Sequence, residues 1–357
     1  MLGLNRFKTN FLKLISSSMQ LFQDKRRNTK RSQSMENNFI ISKYKIYTGE
    51  KIYWWQLILR LQRSILPVIL PWAVFFTVYG FLVSLIHSLG SPVSFPDQNG
   101  VLTKGVISFN IGLTLLLVFR TNTAHERFWE GRKLWGALVN AVRNLTRDIW
   151  ITVKEHSPQD RIEKEATLRL VVAFAVAIKL HLRREPVNHE LAGLMSASQY
   201  SKLKKTHHPP LQIAFWIGDY LQYQHNRNCL NIYQLTTLHK LVSDLVDILG
   251  GCERILKTPV PLIYSLILRQ LVLIYCLILP FEIVRGMTWW TGIVTAFVCF
   301  TLLSIEQIGA EIEEPFGHDP NDLPLDVICL TMLRNVEELI ILAPSNSRSS
   351  RINVDLN

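Results

Sequence analysis

From Ile65 to Leu89 the chain carries no Lys, Arg, Asp or Glu. A helix needs about 20 apolar residues to cross a hydrocarbon core of roughly 30 Å, so this stretch is long enough to span a membrane. A second uncharged stretch runs from Met287 to Ile305, and Trp289 and Trp290 at its start suit a membrane–water interface. Two further stretches are weaker candidates. Gly105 to Phe119 lies between Lys104 and Arg120; as a helix it is only about 23 Å long, short for a lipid-facing span. A helix lining a water-filled path need not be apolar throughout. Leu271 to Val284 is interrupted by Pro280 and Glu282 and continues an apolar run that starts at Leu262. Arg269, inside that run, is expected near the inner interface, with the helix starting below the membrane.

Hydrophobic residues make up 48% of the 357 residues and charged ones 19%, a mixture that fits membrane spans joined to a water-facing helical part. The net charge of +11 suits an anionic membrane face, a nucleic acid or an anionic permeant species. The distribution of bases selects among these. The Gly90–Gly100 loop has no Lys or Arg, and the loop between the third and fourth spans has only Arg285. The N-terminus and residues 120–258 are rich in bases. The positive-inside rule then places both termini and the soluble part on the cytoplasmic side, or its organellar equivalent, and four spans close that topology. Nucleic-acid binding is not expected, because the bases follow membrane topology and no aromatic-interleaved basic motif occurs.

The predicted organisation is a basic polar tail over 1–42, an approach helix and two membrane helices over 43–124, and a cytosolic helical region over 125–258. Two more membrane helices follow over 259–306, and a cytosolic segment over 307–357. The serine-containing basic tail reads either as a transit peptide or as an amphipathic stretch from Phe7 to Phe22 with a disordered remainder. Trp54, Trp55, Arg60 and Arg63 mark the interfacial approach. Leu170 to Ile178 is apolar but closely flanked by Arg169 and Lys179, so it predicts a buried core helix. Asn231 predicts a helix cap, with Gly250-Gly251 ending that helix. The five cysteines form no CxxC pair and read as small apolar residues.

On a helix, Ile107, Ile111, Leu115 and Phe119 recur every four residues and share a face. Such a stripe can pack against neighbouring helices. It can also form, in several copies, a hydrophobic constriction that gates by dewetting.

Three segments carry a resemblance. They are F-R-T-N-T-A-H-E-R-F-W-E-G-R-K-L-W-G from Phe119 to Gly136, G-C-E-R-I-L-K-T-P-V-P-L-I-Y from Gly251 to Tyr264, and E-E-P-F-G-H-D-P-N-D-L-P from Glu313 to Pro324. In type and order they resemble the bestrophin family, in its bacterial and plastid form, over roughly residues 50–340. The resemblance implies an all-α fold of four transmembrane helices continued by a cytosolic helical bundle. It implies a homopentamer in a bacterial inner or thylakoid membrane, with the second membrane helix of each subunit lining one central pore. The family's neck positions correspond to Ile111, Leu115 and Phe119. A second, cytosolic constriction corresponds by counting to Tyr233, where family members usually carry a smaller aliphatic residue; an ordinary helix-start residue is the alternative there.

The expected function is passive conductance of chloride or another small monovalent anion, with bicarbonate and nitrate as possible companions. A monovalent cation channel of the same fold is the alternative, and a solute transporter a third reading. Animal bestrophins carry a calcium clasp in the loop matching Glu311–Asp322. Asp319 and Asp322 match it, whereas Pro320 and Asn321 interrupt the acidic run and Glu314 replaces an amide. The competing reading is an acidic loop that caps helices and pairs with Arg127, Arg132 or Arg254. No other cofactor is expected. An enzyme is not expected, since metal chemistry in a helical membrane protein calls for two facing Glu-x-x-His repeats and only one acidic cluster is present. His181, His189, His207 and His208 read as scattered surface residues.

Overall fold

The computed structural model describes residues 66–91, 101–319 and 321–342, without the side chains of 101–103 and 262. The expectations for the tail, the approach helix, Pro320 and nearly all of the Gly90–Gly100 loop lie outside the described residues. Among those described, every regular element is helical.

Helix α1 spans Leu66–Ser88 and α2 spans Val101–Thr152. Three apolar stretches have the length and composition to cross a membrane, the third running over Ile263–Ile312. That stretch is a hairpin of two helices, α8 (Leu262–Met287) and α9 (Thr291–Ile312), joined by a short 3-10 turn where Thr288 adopts φ 42°. Four membrane-crossing segments result. They alternate in direction: the Ser84 hydroxyl donates to the Thr288 carbonyl at one end, while Arg120 and Arg269 meet Glu306 at the other. A shared apolar core holds the four together, with Phe76 of α1, Leu117 of α2, Val272 and Cys276 of α8, and Cys299 of α9 all buried.

Association in lipid relies on close packing, because lipid tails are as apolar as leucine. Helices α1 and α9 meet through glycines: a Cβ on Gly80 would lie 2.8 Å from Gly292 Cα, and a Cβ on Gly292 would lie 2.7 Å from the Phe81 ring.

Helix α2 has 52 residues, about 78 Å at 1.5 Å per residue. The boundary drawn at 124/125 therefore falls inside one uninterrupted helix, whose apolar first part and amphipathic second part differ only in side chains. Below the membrane, α3 (Pro158–Leu182) forms the bundle centre, buried continuously from Leu170 to Leu180. It is capped by a Ser157/Asp160 capping box. Two short helices follow, α4 (His189–Ala192) and α5 (Ala197–Leu203). Next come α6 (Pro209–Asn226), α7 (Ile232–Lys257) and α10 (Leu325–Leu342). All five cysteines are free and buried.

Asn231 does cap α7, in a reciprocal box with Gln234. The expected stop at Gly250-Gly251 does not occur, because α7 continues to Lys257. Gly251 serves packing instead: a Cβ there would lie 2.9 Å from the Leu134 side chain of α2.

Candidate functional site: the exposed face of helix α2

A helix turns about 100° per residue, and the burial of α2 follows that period. Leu113, Leu117, Arg120 and Ala124 are buried against the subunit's own helices. Ile111, Leu115 and Phe119 project from the opposite side and are 59%, 52% and 62% exposed. Ile107 extends the exposed stripe, while Asn110 and Thr114 flank it. The three predicted neck residues thus share one face, directed away from the subunit's interior. The turn that carries Phe119 ends in charge.

Arg120 follows Phe119 directly but points to the buried side, 4% exposed, where it donates to Glu306 at 2.8 Å. Glu306 is also 4% exposed and accepts from Arg269 at 3.2 Å; Glu313 lies 3.8 Å from Arg120. Buried charges are stable only when paired, so this cluster locks α2, α8 and α9 together just below Phe119. Arg269 lies in the N-terminal third of α8. What the sequence did not reveal is Glu306 as the shared partner. The available signal was a carboxylate at the end of an uncharged stretch, which calls for a partner.

Arg127 binds the junction between bundle and membrane through carbonyls. It donates to Ile255 at 2.8 Å, to Thr258, and to Glu313 at 3.3 Å. The first two are end carbonyls of α7, which have no partner within the helix, and the third belongs to Glu313, the C-cap of α9. Arg254 pairs with Glu130. Of the bases expected to pair with the acidic segment, Arg127 meets it through the Glu313 carbonyl, while Arg254 instead joins α7 to α2. The Glu313 carboxylate accepts from the Val260 amide at 3.2 Å, and Glu311 accepts from Asn321 at 2.8 Å. Asp322 is buried and accepts from the Asp319 amide at 2.7 Å, closing a turn against Gly317.

Tyr233 is 82% exposed in the first turn of α7. That turn lies beside the far end of α2, where the Lys154 amide donates to the Cys229 carbonyl at 3.1 Å. Along α2 this is about 50 Å from Phe119. Two exposed apolar features on one chain are thus separated by the length of the soluble bundle.

Two of the histidines are not scattered. His181 of α3 and His208, the N-cap of α6, each place Nε2 2.8 Å from Oε1 of Glu253 on α7. Burial pushes the Glu253 carboxyl up, but hydrogen bonds from Lys257, His208 and His181 outweigh it and hold it below its ordinary value. No spacing rule could find this cluster, because its members come from three helices.

The sequence matches the model of the Bacterial/Fungal Bestrophin protein family over residues 46–338. The chain belongs to the bestrophin family. A relative in Nostoc sp. is 54% identical, over 84% of this chain and 95% of the relative, and one in Synechocystis sp. is 51% identical, over 82% and 93%. Both are named voltage-dependent anion channel-forming proteins. A solved structure of a bacterial bestrophin homologue from Klebsiella pneumoniae, a single-residue variant, superposes with a TM-score of 0.68. It is 26% identical and covers 76% of this chain and 98% of that one. The fold is therefore that of the family: all-α, with membrane helices continued by a helical bundle.

Proposed function

We propose that this chain forms an anion channel in which several copies surround one water path, with Ile111, Leu115 and Phe119 as its hydrophobic neck. The observation that carries the reading is the face of α2 just described. Apolar side chains stand opposite the buried stripe, flanked by Asn110 and Thr114 that lipid would not favour. Gly105 and Gly112 lie on the exposed side with nothing within 4 Å of an added Cβ, a pattern suited to close approach of another subunit's helix. The soluble bundle exposes Trp129, Ile151, Ile162 and Phe215, apolar surface that a subunit interface would cover.

The homopentamer fits this geometry. Five helices packed 8–10 Å apart place their axes about 7–8.5 Å from the centre. Subtracting a helix radius of about 5–6 Å leaves an opening of about 1–3 Å radius. Such a neck sets a dewetting barrier without selecting charge. Anion preference arises from the field along the path: the net charge of +11 and α7 N-termini directed at it. Tyr233, exposed on that terminus, forms the second constriction. The base-rich bundle lies on the cytoplasmic side.

Purified protein in a planar bilayer under a salt gradient tests this. The reversal potential is expected to move toward the chloride equilibrium potential; movement toward the cation potential, or saturable flux without unitary currents, would reject it. Particle images of the same preparation are expected to show five-fold symmetry.

A further inference from the structure

We propose that His181, His208 and Glu253 form a binding site for a divalent transition-metal ion of the zinc class, one ion per chain, clamping α3, α6 and α7 together. Three potential ligand atoms, one imidazole nitrogen from each histidine and one carboxylate oxygen, lie within 4.8 Å of one another. The two rings face each other with centroids 4.8 Å apart and an interplanar angle of 31°. Two imidazoles and one carboxylate, with a fourth position left to water, are a known zinc donor set. Zinc–ligand bonds of about 2.0–2.2 Å place tetrahedral ligands roughly 3.3 Å apart. The observed separations of 2.8 Å from each Nε2 to Oε1 are about 0.5 Å short of that, and the widest separation in the set, 4.8 Å, is about 1.5 Å long, so the two imidazoles swing toward each other to close on the ion.

The surroundings favour an ion that prefers nitrogen. Glu253 is the one carboxylate of the three ligands, and Lys257 stands 2.7 Å from its other oxygen. Arg184 and Lys204, with Glu185, line a neighbouring cavity of about 250 Å³, which His181 also borders. Calcium or magnesium, which need several oxygens, would meet mainly positive charge; imidazole ligands suit zinc, copper and nickel. Lys257 remains on Oε2 while Oε1 binds the ion, an outer contact of the kind that orients a ligand.

Access is open, since the side chains of His181, His208 and Glu253 are 24%, 35% and 15% exposed. A ring that binds the ion through Nε2 carries its proton on Nδ1. His208 then gives up the long 3.4 Å bond in which its Nδ1 accepts from the Leu211 amide.

Zinc titration of the tag-free full-length protein in detergent, followed by calorimetry, is the test, with cobalt absorption as the spectroscopic signature. One zinc per chain is expected, with tetrahedral cobalt bands and no competition from excess magnesium or calcium. H208Q and E253Q are each expected to weaken zinc at least tenfold and to remove the cobalt bands, while H207Q, in the adjacent cavity wall, leaves both unchanged. Helicity by circular dichroism identifies a variant that fails to fold; H208Q, the most exposed of the three, then decides the outcome alone. Zinc affinity unchanged in H208Q, lost in H207Q, or absent from the folded wild type would overturn the proposal, whatever the outcome for conductance.

Discussion

Replacing Glu306 with alanine tests how the membrane helices are joined, because burial and geometry assign different weights to its two partners. Arg120 is 4% exposed and donates at 2.8 Å; Arg269 is 51% exposed and donates at 3.2 Å. Removing one member of a buried pair costs about 3–5 kcal/mol, because a charge remains uncompensated. Here Glu313, 3.8 Å from Arg120, supplies a distant substitute, which places the expected loss near 3 kcal/mol. The exposed partner contributes about 0–1 kcal/mol after solvent screening. Glu306→Ala and Arg120→Ala should therefore destabilise similarly, and Arg269→Ala by about a third as much or less. Unfolding of the purified protein in mixed micelles, followed by circular dichroism, measures all three. The reasoning fails if Arg269→Ala costs as much as Glu306→Ala, or if Glu306→Ala costs less than about 1 kcal/mol.

Phe119→Ala removes one ring per subunit from the proposed neck and is expected to raise unitary conductance or loosen closure; identical currents in bilayer recordings would count against the neck. Gly80→Ala places a Cβ 2.8 Å from backbone at Gly292, so overpacking should cost about 1–3 kcal/mol, read as a lowered thermal midpoint. Gly112→Leu meets open space within its own subunit; the monomer's helicity should persist while the oligomer seen by size-exclusion chromatography is lost. Asp160 accepts hydrogen bonds from Arg227, His156 and Ser157, which hold its carboxyl at about 2. A depressed carboxylate stabilises the fold above its unfolded value of about 3.9 and loses that contribution as pH falls toward 2. Asp160→Asn should therefore flatten the acid limb of a melting-temperature profile, and an unchanged limb would argue against the Arg227 pair.

Much of the architecture was legible in the chain because lipid and water impose simple rules on composition. Charge-free stretches marked α1 and α9, the helical period marked the apolar stripe of α2, and Asn231 marked the start of α7. Glycine was ambiguous. Gly250-Gly251 reads locally as a terminator, but Gly251 lies mid-helix, because Leu134 of a distant segment occupies the space a side chain would need.

The sequence by itself determined which segments are helical, which can enter a membrane, and which side of α2 is apolar. These depend on nearest-neighbour periodicity and on the cost of charge in hydrocarbon, both properties of a continuous segment. Only the tertiary structure decided that the stripe at Ile111, Leu115 and Phe119 faces away from the subunit's own core. It also decided that Glu306 joins Arg120 to Arg269, and that His181, His208 and Glu253 meet. These outcomes depend on how separate helices are brought side by side, and pairing between residues far apart in the chain leaves no period in the sequence to read.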